Sequence, residues 1–238
     1  MKNPYCVVDE LGFPRFDATD YARAKWLPDN PYLVTGESYL WAYKAAYLHY
    51  NKERIKKYAH EANIPVLLLA GVAVAEAGGT PDRFKAYGVL QIRQMLNDTW
   101  NGNNKKSNAT SVGVLAIQLR AAAETLGIDP STLTNTQQLQ LANCLLMDEF
   151  NIRVVAFHLR DLILHDNPNI TDTGKLNDEQ ILLAAVRYNR GIERDKKSIL
   201  DSLKAPIGAP EREYSSYGRR LLEKKKSTYM ILGINYEE

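Results

Sequence analysis

Apolar residues recur at helical spacing along most of the chain, and the gaps between these stripes hold residues that start or stop helices. The stretch 37–62 (ESYLWAYKAAYLHYNKERIKKYAHEA) reads as one long helix, aromatic in its first half and charged in its second. Asn63 is placed to cap the following helix, and Pro65 suits its first turn. The run from Ile64 to Ala77 (IPVLLLAGVAVAEA) is apolar all round, the mark of a buried helix. Val112, Leu115, Ala116, Leu119, Ala122, Ala123 and Leu126 fit one amphipathic helix. Thr134 with Gln137 forms a capping-box pattern ahead of a helix to about Phe150. Ile152, Val155, Ala156, Leu159, Leu162 and Ile163 mark the next stripe, and Asn177 with Gln180 caps the helix ILLAAVRY, which ends before Gly191. A proline-containing loop (KAPIGAPE) precedes a last, basic helix over about 211–227.

Two stretches break this pattern. Residues 1–35 carry Pro4, Pro14, Pro28 and Pro31 with no clean period, and read as an irregular arm packed over a helical body spanning 36–238. Residues 78–110, rich in Gly, Asn, Asp and Lys, read as loops with short structured pieces. No strand pattern of useful length occurs, so the expected class is mainly α: one helical domain with an N-terminal extension.

Composition narrows the partners. The 45% hydrophobic and 24% charged fractions are ordinary for a soluble globular chain. Thirty Lys+Arg against 28 Asp+Glu leave a formal charge of +2, so no overall pull toward nucleic acid is expected, and the cluster at 219–226 reads as a solvated helix face. No secretory signal pattern opens the chain, and the one apolar run is too short to span a bilayer; the expectation is synthesis in the cytoplasm and no membrane partner. The four histidines and two cysteines lack metal-site spacing, so neither metal nor cofactor is expected. Cys6 and Cys144 could form one bridge in an oxidising compartment, although their spacing does not argue for it, and Cys144 also fits a small core residue.

Glu76 is the first chemical candidate, because it closes the apolar run and is followed by Gly78-Gly79. Burial disfavours its ionisation, and so does the partial negative charge of a helix C-terminus. A carboxylic acid in such a place suits proton donation to a leaving oxygen. The competing explanation is a Glu that reaches solvent where the helix ends.

Three further stretches follow in order: Tyr87-Gly88-Val89-Leu90-Gln91-Ile92; Asn151-Ile152 with Val155, His158-Leu159 and Leu162; and Tyr188-Asn189-Arg190-Gly191. Together with Glu76 they resemble the soluble lytic transglycosylases and goose-type lysozymes of the lysozyme superfamily, over roughly 60–192. The resemblance implies a lysozyme-like helical domain in which Glu76 is the catalytic acid and then the base. It places Gly88, Gln91, Tyr188 and Asn189 along the sugar-binding cleft. It also implies cleavage between N-acetylmuramic acid and N-acetylglucosamine in peptidoglycan, with glycan strands as the main partner.

The chemistry of these residue types agrees. Glycine admits close backbone approach to a sugar ring, Gln91 and Asn189 can pair with hydroxyls and acetamido groups, and Tyr188 offers an aromatic face. For Tyr188 and Asn189 the plainer account is a helix C-cap. The chain departs from the pattern at Val155 for Gly, Arg190 for Ala and Arg93 for Asp. Asp82 is the candidate second carboxylate, against a simple Thr-Pro-Asp turn; Asp98 is a fainter one. Trp100 is a candidate for the edge of the cleft, and Arg187 and Arg190 read as exposed helix-face residues, against contact with carboxylates on the peptide stems of peptidoglycan.

Hydrolysis and intramolecular 1,6-anhydro formation both remain open. The expected setting is the periplasm or cell wall, reached by non-classical delivery as an antibacterial effector or a phage endolysin, with an immunity or delivery protein as a further partner. The alternative is a catalytically silent lysozyme-like module that binds glycan or protein.

Overall fold

The computed structural model describes residues 3–7, 37–77 and 83–235. The chain divides into two compact units: Met1–Tyr47 with Glu76–Val155, and Leu48–Ala75 with Ala156–Glu238. Most described residues are helical, and the strands among them form a single two-stranded hairpin. Of the expected arm over 1–35, only residues 3–7 lie within the described part.

The expected helix over 37–62 is two helices, α1 (Glu37–Tyr50) and α2 (Lys52–Glu61). They meet at Asn51, which is fully buried and whose Oδ1 accepts a hydrogen bond from Arg54 at 3.1 Å. Asn63 does not cap the next helix. It sits in the left-handed region (φ 52°), its N–H reaches back to the His60 carbonyl at 3.0 Å, and it thereby ends α2. Its side chain bonds Asp172 at 3.1 Å, and Thr173 donates to its carbonyl at 2.7 Å, which anchors the 172–174 turn.

Helix α3 (Val66–Glu76) is buried from Leu67 to Val74, as its uniformly apolar sequence requires. Gly71 is needed there: a Cβ would lie 2.2 Å from Leu221 Cγ.

In the first unit, 83–101 is not a loop. Helix α4 (Arg83–Ile92) runs into a π-helical turn (Arg93–Asp98) and the single turn α5 (Thr99–Asn101), with α6 (Lys105–Asn108) after it. The expected helix over 112–126 begins only at α7 (Leu119–Thr125). Ahead of it, β1 (Ser111–Val112) pairs antiparallel with β2 (Ile117–Gln118). Two positive-φ residues, Gly113 (82°) and Ala116 (53°), turn this hairpin and exclude a helix. Asn151 pins it, accepting from Leu115 N–H at 2.9 Å while its amide packs where a Gly113 side chain would stand.

The capping box at Thr134 starts α8 (Asn135–Leu145), which stops before α9 (Asp148–Asp166) begins. Cys6 is disulfide-bonded to Cys144 on α8, and Asn3 Nδ2 donates to the Gln140 carbonyl at 2.8 Å. In the chain-entropy picture a cross-link closing so long a loop stabilises by about 5 kcal/mol. Cys144 is thus both a core residue and half of a bridge.

In the second unit, α10 (Asp178–Arg190) starts at the Asn177/Gln180 capping box and buries Leu182, Leu183 and Val186 against Ile199 of α11 (Lys196–Lys204). The expected helix over 211–227 is three elements: a 3-10 turn (Pro210–Ser215), α12 (Ser216–Glu223) and α13 (Lys225–Leu232). Gly218 lets α12 meet α10, since a Cβ there would sit 2.6 Å from the Leu182 carbonyl. No helix among the described residues is long and apolar enough to cross a membrane.

Candidate active site

Glu76 is the last residue of α3 and half-buried, with Ala77 fully buried behind it. Its helix is built as the sequence suggests: an apolar rod whose one ionisable group stands at the C-terminal end. Lys44 of α1, which belongs to no motif in the sequence, acts on the same group. Burial holds the Lys44 ammonium below the ordinary lysine range, and the charge of Glu76 works in the opposite direction. Glu76 therefore has a cation within electrostatic reach. A cue was present in the sequence, since Lys44 is a lone charge inside the aromatic half of α1 (SYLWAYKAAYLHY).

Gly88 and Gln91 share α4, not a loop. Gly88 is half-buried, and a Cβ there would meet nothing within 4 Å, so the fold itself does not require glycine at this point. Gln91 is exposed. Both present to open space, which leaves them available to a ligand. Asp82, the candidate second carboxylate, lies outside the described residues. Asp98 is buried at the end of the π-helical turn. Its Oδ1 accepts from Ser107 N–H at 3.4 Å, and its Oδ2 is buried with no hydrogen-bond partner.

Tyr188 and Asn189 belong to the second unit, at the C-terminal end of α10. Tyr188 is half-buried, with its ring edge-to-face against His158 at 5.9 Å between centroids. Burial pushes the His158 imidazole down from 6.5 to about 4, so it is neutral at ordinary pH. Asn189 is exposed, and Gly191, at φ 80° in an extended conformation open to glycine, ends the helix with its N–H donating to the Arg187 carbonyl at 2.7 Å.

Arg187 is not an exposed helix-face residue. It is 2% exposed and forms a bidentate pair with Asp166, Nε to Oδ2 at 2.8 Å and Nη2 to Oδ1 at 2.9 Å. Its remaining Nη1 donates to the carbonyls of Ile192 (3.2 Å) and Arg194. This clamp fixes the chain that follows Tyr188-Asn189-Arg190-Gly191. Arg190 is exposed, as expected, and donates to the Glu213 carbonyl at 2.7 Å.

The middle motif is structural. Asn151, Ile152, Val155, Leu159 and Leu162 are all buried in α9, and Asn151 serves the hairpin. Among the described residues, no group of three or more His, Cys, Asp or Glu is arranged to hold a metal ion. The predicted set is thus divided, with Glu76, Gly88 and Gln91 in one unit and Tyr188 and Asn189 in the other. No protein-family model, no curated protein and no solved structure matches the chain.

Proposed function

We propose that the chain is a peptidoglycan-cleaving glycosidase that cuts the bond between N-acetylmuramic acid and N-acetylglucosamine. The observation that carries this reading is the position of Glu76, a half-buried carboxyl ending an otherwise apolar helix and followed in the chain by the outward-facing Gly88 and Gln91. Protonated, Glu76 donates to the leaving glycosidic oxygen as the C1–O bond breaks and an oxocarbenium-like centre develops. Ionised, it takes the proton from the attacking hydroxyl. That hydroxyl is either water, giving a reducing end, or the substrate's own C6 hydroxyl, giving a 1,6-anhydro ring.

The disulfide between Cys6 and Cys144 supports action outside a reducing cytosol, in the periplasm or cell wall. In the same reading the chain is a delivered antibacterial effector or a phage endolysin. A second reading, a silent module that binds glycan or protein, is favoured by the division of the motif residues, with Glu76, Gly88 and Gln91 in one unit and Tyr188 and Asn189 in the other.

The test is digestion of purified peptidoglycan by the wild-type protein and by Glu76→Gln, with the released muropeptides weighed. The expected result is release by the wild type and a loss of about a hundredfold or more in the variant. Products one water lighter than reducing-end muropeptides identify the anhydro route. Equal release by both proteins would remove Glu76 from the mechanism, and no release from either would leave the binding module.

A further inference from the structure

The segment from Leu90 to Trp100 is amphipathic in the wrong direction. Its inward positions are Leu90, Gln94 and Asp98, spaced i, i+4, i+8, and two of the three are polar. Its outward positions include Ile92 (56% exposed), Met95 (73%), Leu96 (64%) and Trp100 (90%), a run at i, i+3, i+4, i+8. Large exposed apolar residues elsewhere in the described chain stand singly in sequence, which is ordinary. Here four lie within one continuous helical element.

The inversion is held in place. Gln94 Nε2 donates to Gln138 Oε1 at 2.7 Å and to the Asn135 carbonyl at 3.1 Å. Gln138 Nε2 in turn donates to Ser107 Oγ and Asn108 Oδ1, both at 2.7 Å, and all of these side chains are buried. A buried, hydrogen-bonded network of this kind fixes which way a helix faces. The apolar side chains are thereby kept turned toward solvent, a conflict of local pattern and fold of the kind expected at functional surfaces.

Charge decides among occupants. Between residues 83 and 108 the sequence holds Arg83, Lys85, Arg93, Lys105 and Lys106, and its one acid is Asp98. Asp98 is buried, whereas Lys105 and Lys106, just beyond Trp100, are exposed. An apolar strip with an aromatic residue and flanking cations matches the interface of an anionic bilayer. A sugar chain fits it less well, because Ile92, Met95 and Leu96 have no hydrogen-bonding groups for hydroxyls. A second copy packed on the strip would face two like-charged surfaces toward each other, since the segment's cations have no exposed acid among them.

We infer that the outward face of residues 92–100, flanked by Lys105 and Lys106, docks the protein on an anionic phospholipid surface. This is peripheral contact and inserts no helix across the bilayer. It does not depend on the glycosidase reading. It does revise the expectation that membranes play no part.

The test is cosedimentation of the full-length protein with phosphatidylglycerol–phosphatidylcholine vesicles and with phosphatidylcholine vesicles, with tryptophan emission as the second readout. Binding to the anionic vesicles with a blue shift is expected, weakened by added salt. Leu96→Ser with Trp100→Ser should lower the partition coefficient by about tenfold or more. Lys105→Gln and Lys106→Gln should lower it about fivefold each, and they leave the apolar strip intact should the first variant fail to fold.

Absence of cosedimentation overturns the inference, as does binding that neither pair of substitutions weakens. So does a wild-type dimer that the serine variant abolishes, which would assign the strip to self-association. Binding to lipid-free peptidoglycan provides the last arm. If the serine variant loses that binding along with vesicle binding, the strip belongs to the glycan and the lipid inference falls.

Discussion

Helix α10 turns Ile181, Leu182, Leu183 and Val186 inward and leaves Asn189 and Arg190 exposed. Along 90–100 the arrangement is reversed, with Gln94 and Asp98 inside and Ile92, Met95, Leu96 and Trp100 outside. Both elements bury polar side chains, but in different states. In α10, Arg187 has a bidentate carboxylate and two carbonyls, so its donors are used within the unit. In the other segment Gln94 is satisfied, while Asp98 keeps one buried oxygen without a partner. A buried polar group alone is therefore weak evidence of function, since the Arg187 pair is an anchor. Burial of polar groups combined with exposure of apolar ones cannot be explained by stability, and it points to something outside the fold.

The widest expected gap between the two elements lies at Arg187. Arg187→Met leaves Asp166 buried without its partner and should cost about 3–5 kcal/mol in a denaturant titration. Adding Asp166→Asn should recover much of that loss. A single-variant cost under about 1 kcal/mol would mean that the clamp does not anchor α10.

The next effect is on pH. In the unfolded chain the His158 imidazole takes up its proton near 6.5, and in the folded protein only near 4. The unfolded chain binds more protons through that window, so stability is complete above pH 6.5 and falls as pH is lowered toward 4. For this one group the fall amounts to about 3 kcal/mol. Urea midpoints between neutral pH and pH 4.5 should show it in the wild type and show less of it in His158→Gln. Identical pH profiles would mean that the ring against Tyr188 is not kept neutral by burial.

Smallest and most discriminating is Gln94→Leu. If the inverted face were only an imperfection, an apolar residue at this buried position would stabilise the protein. Because Gln138 Oε1 and the Asn135 carbonyl would lose their donor, the expected result is a loss of about 1–2 kcal/mol. A gain in the thermal midpoint would dissolve the contrast between the two elements.

Legibility followed the range of the interactions. Both capping boxes, the buried rod of α3 and the stripe of α10 rest on residues a few positions apart, and each stands where the pattern placed it. The helical course of 83–101 is hidden in the sequence because Gly and Asn are frequent across 78–110, while a Cβ at Gly88 would touch nothing and so offers the helix no obstacle. The hairpin is masked in the sequence because Val112 and Leu115 keep helical spacing, and the contact that removes them from a helix comes from Asn151, 36 residues from Leu115. In the candidate site, Glu76 at the end of an apolar helix was legible. Lys44 stands out in the sequence as a lone charge, but its electrostatic reach to Glu76 does not, since the two lie on different helices.

From sequence alone follow the helical class, the helix starts at Thr134 and Asn177, and the presence of one carboxylate at the end of an apolar rod. These depend on backbone hydrogen bonds and side-chain spacing that a local stretch carries with it. Tertiary structure alone decided the Cys6–Cys144 bridge, the burial of Arg187 against Asp166 and the outward turn of Ile92, Met95, Leu96 and Trp100. Each of these is set by a partner distant in the chain, and the direction a helix faces is fixed by what it meets, not by its own period.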